Sequence, residues 1–158
     1  MKAEHDYALS VVWEGNRGTG TSGYREYGRQ TTVTAEGPAP LLASADRPFR
    51  GDSDRWNPEQ MLLAALAQCH LLSYLHVAVK NGVVVTGYRD DAVGTMVQEG
   101  EGGRFESVTL RPRVLVADAS MVELAQSLHA EASRLCFIAN SVNFPVGHEP
   151  TAEVDSAE

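Results

Sequence analysis

The 158 residues are 43% apolar, a length and balance that suit one domain with a real core. Thirteen Lys and Arg face 21 Asp and Glu, and the net charge of −8 argues against a nucleic-acid partner, because phosphate binding needs clustered cations. No such cluster occurs: Arg25 and Arg29 stand alone among glycines and polar residues. The opening MKAEHDYALSVVWEG lacks the charged-then-apolar pattern of a signal peptide, and no run approaches the roughly 20 apolar residues of a membrane span. A cytoplasmic protein with no membrane partner is the expectation.

In chain order, YALSVVWEG (7–15) is a β-rich patch that ends at a turn and predicts an opening strand. The Gly- and Thr-rich segment after it predicts a hairpin, with GRQTTVTAE as the return strand. Residues 37–57 hold three prolines and predict a long loop, of a length that is usually functional or disordered. Asn57 then opens a helix, with Pro58 at its first position and Gln60 completing a capping box. That helix should reach Lys80, where Asn81-Gly82 stops it. Its interior (Met61, Leu62, Leu63, Leu66, Leu71, Leu72, Leu75) is apolar nearly all round. Such a pattern asks for burial on most faces, and a partner chain is the cheapest source of the second layer.

Residues 82–97 predict a strand or two, GEGGR a turn, and FESVTLRPRVLVA (105–117) one alternating strand. A second helix is expected over 118–136, with Ser120 and Glu123 as a capping box and an apolar stripe through Val122, Ala125, Leu128, Ala132 and Leu135. NFPVGHEPTAEV closes with an edge strand, and the last few residues are expected to fray. The whole reads as a single α+β domain over 1–158, without repeats or a linker.

The two cysteines, Cys69 and Cys136, fall on or just past different helices. In a reducing compartment such a pair is not expected to form a standing disulfide, and each defaults to core packing. A working thiol needs a positive neighbour, a helix N-terminus or a base. Cys69 is far from its helix start, and His70 points about 100° away around the helix. A cation must therefore come from another segment: Arg17, Arg25 and Arg29 in the hairpin, or Arg47, Arg50 and Arg55 in the long loop. His70, His76 and His129 invite a zinc reading with the cysteines. Adjacent helical positions such as 69 and 70 diverge, however, and cannot serve one metal, so neither a metal nor another cofactor is expected. Trp13, Trp56, Tyr24 and Phe49 are candidates to line an apolar pocket.

The stretch NPEQMLLAALAQCH, followed by a second Cys at the end of a helix, resembles the OsmC/Ohr family of thiol peroxidases. That family combines an Asn-Pro-Glu helix start, a small-residue run, a peroxidatic Cys ten positions after the Glu, and a resolving Cys near the C-terminal end. Glu59 precedes Cys69 at that spacing, Cys136 follows, and the Trp-Glu-Gly opening is similar to the OsmC branch. The resemblance spans nearly the whole chain. It implies an OsmC-like fold, with antiparallel sheets wrapped around central helices in an intertwined homodimer. It also implies reduction of organic hydroperoxides, with Cys69 attacking the O–O bond to become a sulfenic acid. Cys136 would condense with it to a disulfide that an external thiol or dithiol reduces.

By the same resemblance Glu59 would hold the activating arginine. About 15 Å of helix separate it from Cys69, so it would act through a long arginine or at a partner chain's site. In the Ohr branch the arginine lies in a Gly-rich turn of the first hairpin, which Arg17 in EGNRGTG matches. In the OsmC branch it lies shortly before Asn-Pro-Glu, where Arg50 in PFRGD is placed first and Arg47 next. Where the family often has Pro after the second cysteine, this chain has Phe137. The alternative to catalysis is a dimeric protein of the same fold that binds an apolar small molecule at its interface without turnover.

Overall fold

The computed structural model describes residues 1–156, and its chain forms two compact units, Met1–Leu62 and Leu63–Glu158. Of the C-terminal residues expected to fray, Ala157 and Glu158 lie outside the described residues.

In the first unit a three-stranded antiparallel sheet runs in the order β1 (Ser10–Trp13), β2 (Thr31–Thr34) and β3 (Leu41–Ala43). The hairpin is present, with Val11 opposite Val33. Gly15 lies where its carbonyl accepts from the Gly28 N–H, and a Cβ there would meet the Gly28 oxygen at 1.9 Å, so the turn admits only glycine. The loop expected over 37–57 is not structureless. β3 pairs with β2 at Thr32 and Leu42, and the chain returns so that the Ser44 N–H donates to the Trp56 carbonyl. Asp52 ties the return together, accepting from Gln30 Nε2 and Ser44 Oγ at 2.8 Å each. The pairing was hidden because Leu-Leu-Ala is too short to show alternation between prolines.

Helix α1 (Pro58–Lys80) starts as the capping box requires. Asn57 Oδ1 accepts from the Gln60 N–H at 2.8 Å, and Gln60 Oε1 accepts from the Asn57 N–H at 3.1 Å. Asn57→Ala should cost about 1 kcal/mol, read as a lower urea midpoint at unchanged slope. At 23 residues and mean hydropathy 1.6 over its most apolar stretch, α1 has the length and composition of a membrane span, which corrects the expectation that no run comes close. Within the chain its buried residues form one stripe, Leu66, His70, Tyr74, Val77 and Ala78, whereas Leu72 and Val79 are exposed.

The second unit holds two further sheets, ordered β4 (Val85–Asp90), β7 (Pro112–Val116), β9 (Thr151–Val154) and β5 (Val93–Glu99), β6 (Gly102–Leu110), β8 (Val146–His148). β4–β7 and β5–β6 are antiparallel, while β8 and β9 join in parallel. Residues 105–117 are therefore two strands rather than one, and they belong to different sheets. The break is at Arg111, whose N–H donates to Asp90 Oδ1 at 2.7 Å, followed by Pro112, which has no N–H for a ladder. Pro150 likewise divides the closing segment into β8 and β9.

The helix expected over 118–136 is also divided, into α2 (Val122–Ser127) and α3 (His129–Leu135). Ser127 Oγ donates to the Leu124 carbonyl at 2.7 Å, the local competition with backbone that unsettles helix interiors. The expected Ser120–Glu123 capping box does not form. Asp118 caps the segment instead, its Oδ1 accepting from the Ser120 N–H at 2.8 Å. Tyr74, Val77 and Ala78 of α1 pack with Val114 and Val116 of β7 and with Ala125, Leu128 and Ala132 into one core cluster. That packing sets α1 beside the α2–α3 segment, and the two cysteines with it.

Candidate active site

Cys69 lies half-buried on α1, and Cys136 is fully buried at the residue that ends α3. Both are free thiols. Their side chains are neighbours, near enough for the Cys69 thiol to act on the Cys136 thiol. Burial pushes the Cys136 thiol up to about 11, and the Cys69 neighbour adds to the rise. The Ala139 N–H, which Cys136 Sγ accepts at 3.5 Å, opposes it in part. Cys136 is therefore a protonated thiol at neutral pH, sealed from solvent, whereas Cys69 opens onto a pocket.

That pocket encloses about 460 Å³ and is lined by Cys69, Leu72, Ser73 and His76 of α1, with Leu135 and Phe137 from the end of α3 and beyond. Positions 69, 72, 73 and 76 share a helix face, so Cys69 stands on an apolar wall interrupted only by Ser73 and His76. Phe137 is 77% exposed and forms part of this wall. The volume is in the range of small-molecule clefts.

On the buried side of α1 the neighbouring residues reach the same partner segment through polar contacts. His70 Nε2 and His129 Nδ1 share a hydrogen bond of 3.1 Å, and Tyr74 Oη donates to the Ala125 carbonyl at 2.8 Å. The Tyr74 ring stacks on His129 with centroids 4.1 Å apart, and His148 of β8 lies 4.4 Å from His70. Burial, followed by the nearby His148 and His129, lowers His70 to about 3; burial and then His148 lower His129 to about 4. Both rings are neutral at pH 7, each with one N–H. Their one shared bond leaves His70 Nδ1 and His129 Nε2 buried without a partner. Among the described residues no group of three His, Cys, Asp or Glu side chains is arranged to hold a metal ion.

The other expected site residues belong to the Met1–Leu62 unit. Arg17 is exposed in the Gly-rich turn, where Asn16 Oδ1 accepts from the Gly18 and Gly20 N–H groups. Arg50 is exposed too, and has the left-handed backbone (φ 63°, ψ 30°) that closes the short turn of Arg47–Phe49. This conformation is uncommon outside glycine. Neither arginine forms an ion pair among the described residues. Glu59, in the first turn of α1, has a buried Oε2 with no hydrogen-bond partner there. The structure thus brings Cys69 and Cys136 together, and describes Arg17, Arg50 and Glu59 in the other unit.

Sequence reasoning missed the pocket wall and the His70–His129 contact. The wall was within reach, since the spacing 69, 72, 73, 76 is one helix face. Trp13, Trp56, Tyr24 and Phe49, the expected pocket aromatics, lie in the first unit, where Trp13 Nε1 donates to the Gly28 carbonyl at 2.9 Å. The histidine contact had no signal, because it joins residues 59 positions apart.

Residues 51–150 match the OsmC-like protein family. The match contains Glu59, Cys69 and Cys136 and begins one residue after Arg50. An OsmC-like protein of unknown function from Vibrio cholerae O1 biovar eltor str. N16961 is similar in structure at 30% identity and a TM-score of 0.82, over 93% of this chain and 99% of its own. An organic hydroperoxide resistance protein from Elizabethkingia anophelis shares the fold at 18% identity and a TM-score of 0.69, over 98% of this chain and all of its own. The uncharacterized protein YmaD of Bacillus subtilis (strain 168) is 25% identical over 143 residues, 89% of this chain and 88% of that protein.

Proposed function

From a chain that belongs to the OsmC-like family, and has the OsmC-like fold, we propose a thiol-dependent peroxidase that reduces organic hydroperoxides to alcohols. The observation that carries the reading is the asymmetric thiol pair: Cys69 faces an apolar pocket, and a buried, protonated Cys136 lies directly behind it. An attacking thiol must be reachable by substrate, and a resolving thiol need only reach the product of the attack.

The Cys69 thiolate attacks the outer oxygen of ROOH, breaking the O–O bond. The alkoxide takes a proton and leaves as alcohol, and Cys69 becomes a sulfenic acid. Cys136 loses its proton, attacks the Cys69 sulfur, and expels the oxygen as water, leaving a Cys69–Cys136 disulfide. Two electrons and two protons from an external thiol or dithiol restore both thiols. The apolar wall of Leu72, Leu135 and Phe137 receives the organic part of the substrate and excludes water. No resident cofactor is needed.

In this reading Arg50, with Arg17 as the second candidate, supplies the cation that favours the Cys69 thiolate, and Glu59 holds the guanidinium. The unpartnered Glu59 Oε2 is an acceptor of the kind such an arginine would fill. The working form is a homodimer in the cytoplasm, in which a second copy covers the α1 surface around Leu72 and Val79, 57% and 77% exposed in the single chain. Thiol titration before and after one equivalent of cumene hydroperoxide tests the proposal. Loss of both thiols per chain supports it, and an unchanged count favours a protein of the same fold that binds an apolar ligand without turnover.

A further inference from the structure

Three contacts between α1 and the α2–α3 segment run in antiparallel order: Tyr74 to Ala125, His70 to His129, and Cys69 beside Cys136. As the chain moves back along α1 from 74 to 69, its partner moves forward from 125 to 136. The histidine pair sits next to the thiols. His70 directly follows Cys69, and His129 opens the short helix that Cys136 ends. Both rings are buried, at 0% and 3% exposure, and their bond is the last polar tie before the sulfurs.

We propose that His70 and His129 are positioning residues for the disulfide: their imidazole–imidazole hydrogen bond fixes the separation of α1 and α3 and so holds the Cys136 sulfur within reach of Cys69. This role rests on the proposed cysteine cycle, and the pair touches neither substrate nor the attacked oxygen. The physical ground is that a disulfide tolerates only a narrow range of Cα separations. A helix of only seven residues, set off from α2 at Leu128, does not by itself fix its distance from α1. A buried N–H···N bond is directional where apolar packing is not. It also accounts for two neutral histidines in a core where each leaves one nitrogen unpartnered, a cost that apolar residues would not incur.

The test separates positioning from peroxidase chemistry. The full-length protein is equilibrated with mixtures of oxidised and reduced dithiothreitol, where two protein thiols pass two electrons and two protons to the oxidised reagent. The equilibrium constant for the Cys69–Cys136 disulfide is then read by alkylation and mass spectrometry. No peroxide is involved, so failure to consume hydroperoxide would defeat the proposed function without deciding this point.

In His129→Phe, which keeps the ring stacked on Tyr74 but loses the nitrogen, the constant should fall about tenfold or more. It should fall similarly in His70→Leu/His129→Leu, which leaves no orphaned partner. The rate at which a small disulfide reagent modifies Cys69 should stay within about threefold. The amide pair His70→Gln/His129→Asn, which places a donor near Nε2 and an acceptor near Nδ1, should restore the constant to within about threefold of wild type. A merely space-filling role predicts no such rescue. A wild-type constant in the double leucine variant would overturn the proposal, as would a wild-type protein that forms no Cys69–Cys136 disulfide at any ratio. Should neither apolar variant fold, the amide pair decides: retention of the constant supports the bond, and a tenfold loss refutes it.

Discussion

Cys69→Ser should reduce the consumption of cumene hydroperoxide to the level of buffer, while Cys136→Ser should consume one molecule per chain and stop. The difference follows from where the two sulfurs lie. Cys69 is the thiol on the pocket wall, and serine there keeps the shape and removes the nucleophile. Cys136 is buried behind it and, with its thiol pushed up to about 11, contributes almost no thiolate at pH 7 before Cys69 has reacted. Without Cys136 the first step proceeds and the sulfenic acid persists, where a carbon nucleophile such as dimedone captures it at position 69. Dimedone capture at position 136, or undiminished consumption by Cys69→Ser, would reverse the assignment. Cys69→Ser, at a half-buried position on the pocket wall, should lower thermal stability little, whereas Cys136→Ser places a hydroxyl in the core and should lower it by about 1–3 kcal/mol.

The second large effect is acid lability. His70 and His129 are held at about 3 and about 4 in the fold, below the ordinary histidine value of 6.5, and burial leads the causes for both. His148 is lowered in the same direction. The unfolded chain therefore takes up protons first as pH falls. Stability should be full above about pH 7 and fall through the window from 6.5 toward 4, because the unfolded state binds more protons there. For the two innermost rings the loss between pH 7 and 4.5 should be on the order of 4 kcal/mol. Urea melts at the two pH values measure it, and most of this window lies above the ordinary carboxylate range. The slope with pH should roughly halve in His129→Phe. A flat profile would mean that the rings are not neutral and enclosed as described.

The single-chain pattern carried much of the fold. Asn57, Pro58 and Gln60 gave the start of α1 to the residue, because a capping box is a local reciprocal hydrogen-bond pair. Where the expectations erred, a short-range breaker was outvoted by a longer periodic pattern. The alternation across 105–117 continues in apolarity through Arg111-Pro112, yet the missing N–H sends the two halves to different sheets. The stripe from Val122 to Leu135 continues through Leu128, yet the helix divides there. Apolar periodicity reports which side faces the core, and a division that preserves that side leaves it unchanged.

The site was legible in unequal parts. Cys69 and Cys136 were identified as a pair by resemblance to a family, and the structure sets them side by side. Their environment was not legible, because His129, Leu135 and Phe137 meet α1 from more than fifty positions further along the chain, beyond strands β4 to β7. The apolar circumference of α1 is only partly used within one chain, leaving Leu72 and Val79 uncovered. That remainder is what the proposed homodimer would bury.

The most direct measurement is peptide mapping without reductant after one equivalent of hydroperoxide. Trypsin places Cys69 in residues 56–80 and Cys136 in residues 135–158. The expected product is these two peptides joined, lighter by two hydrogens than their sum, with Cys136 lost as a free thiol in step with peroxide consumed. Recovery of 135–158 with an intact thiol, alongside 56–80 carrying sulfinic acid or no oxidation at all, would contradict a working thiol pair.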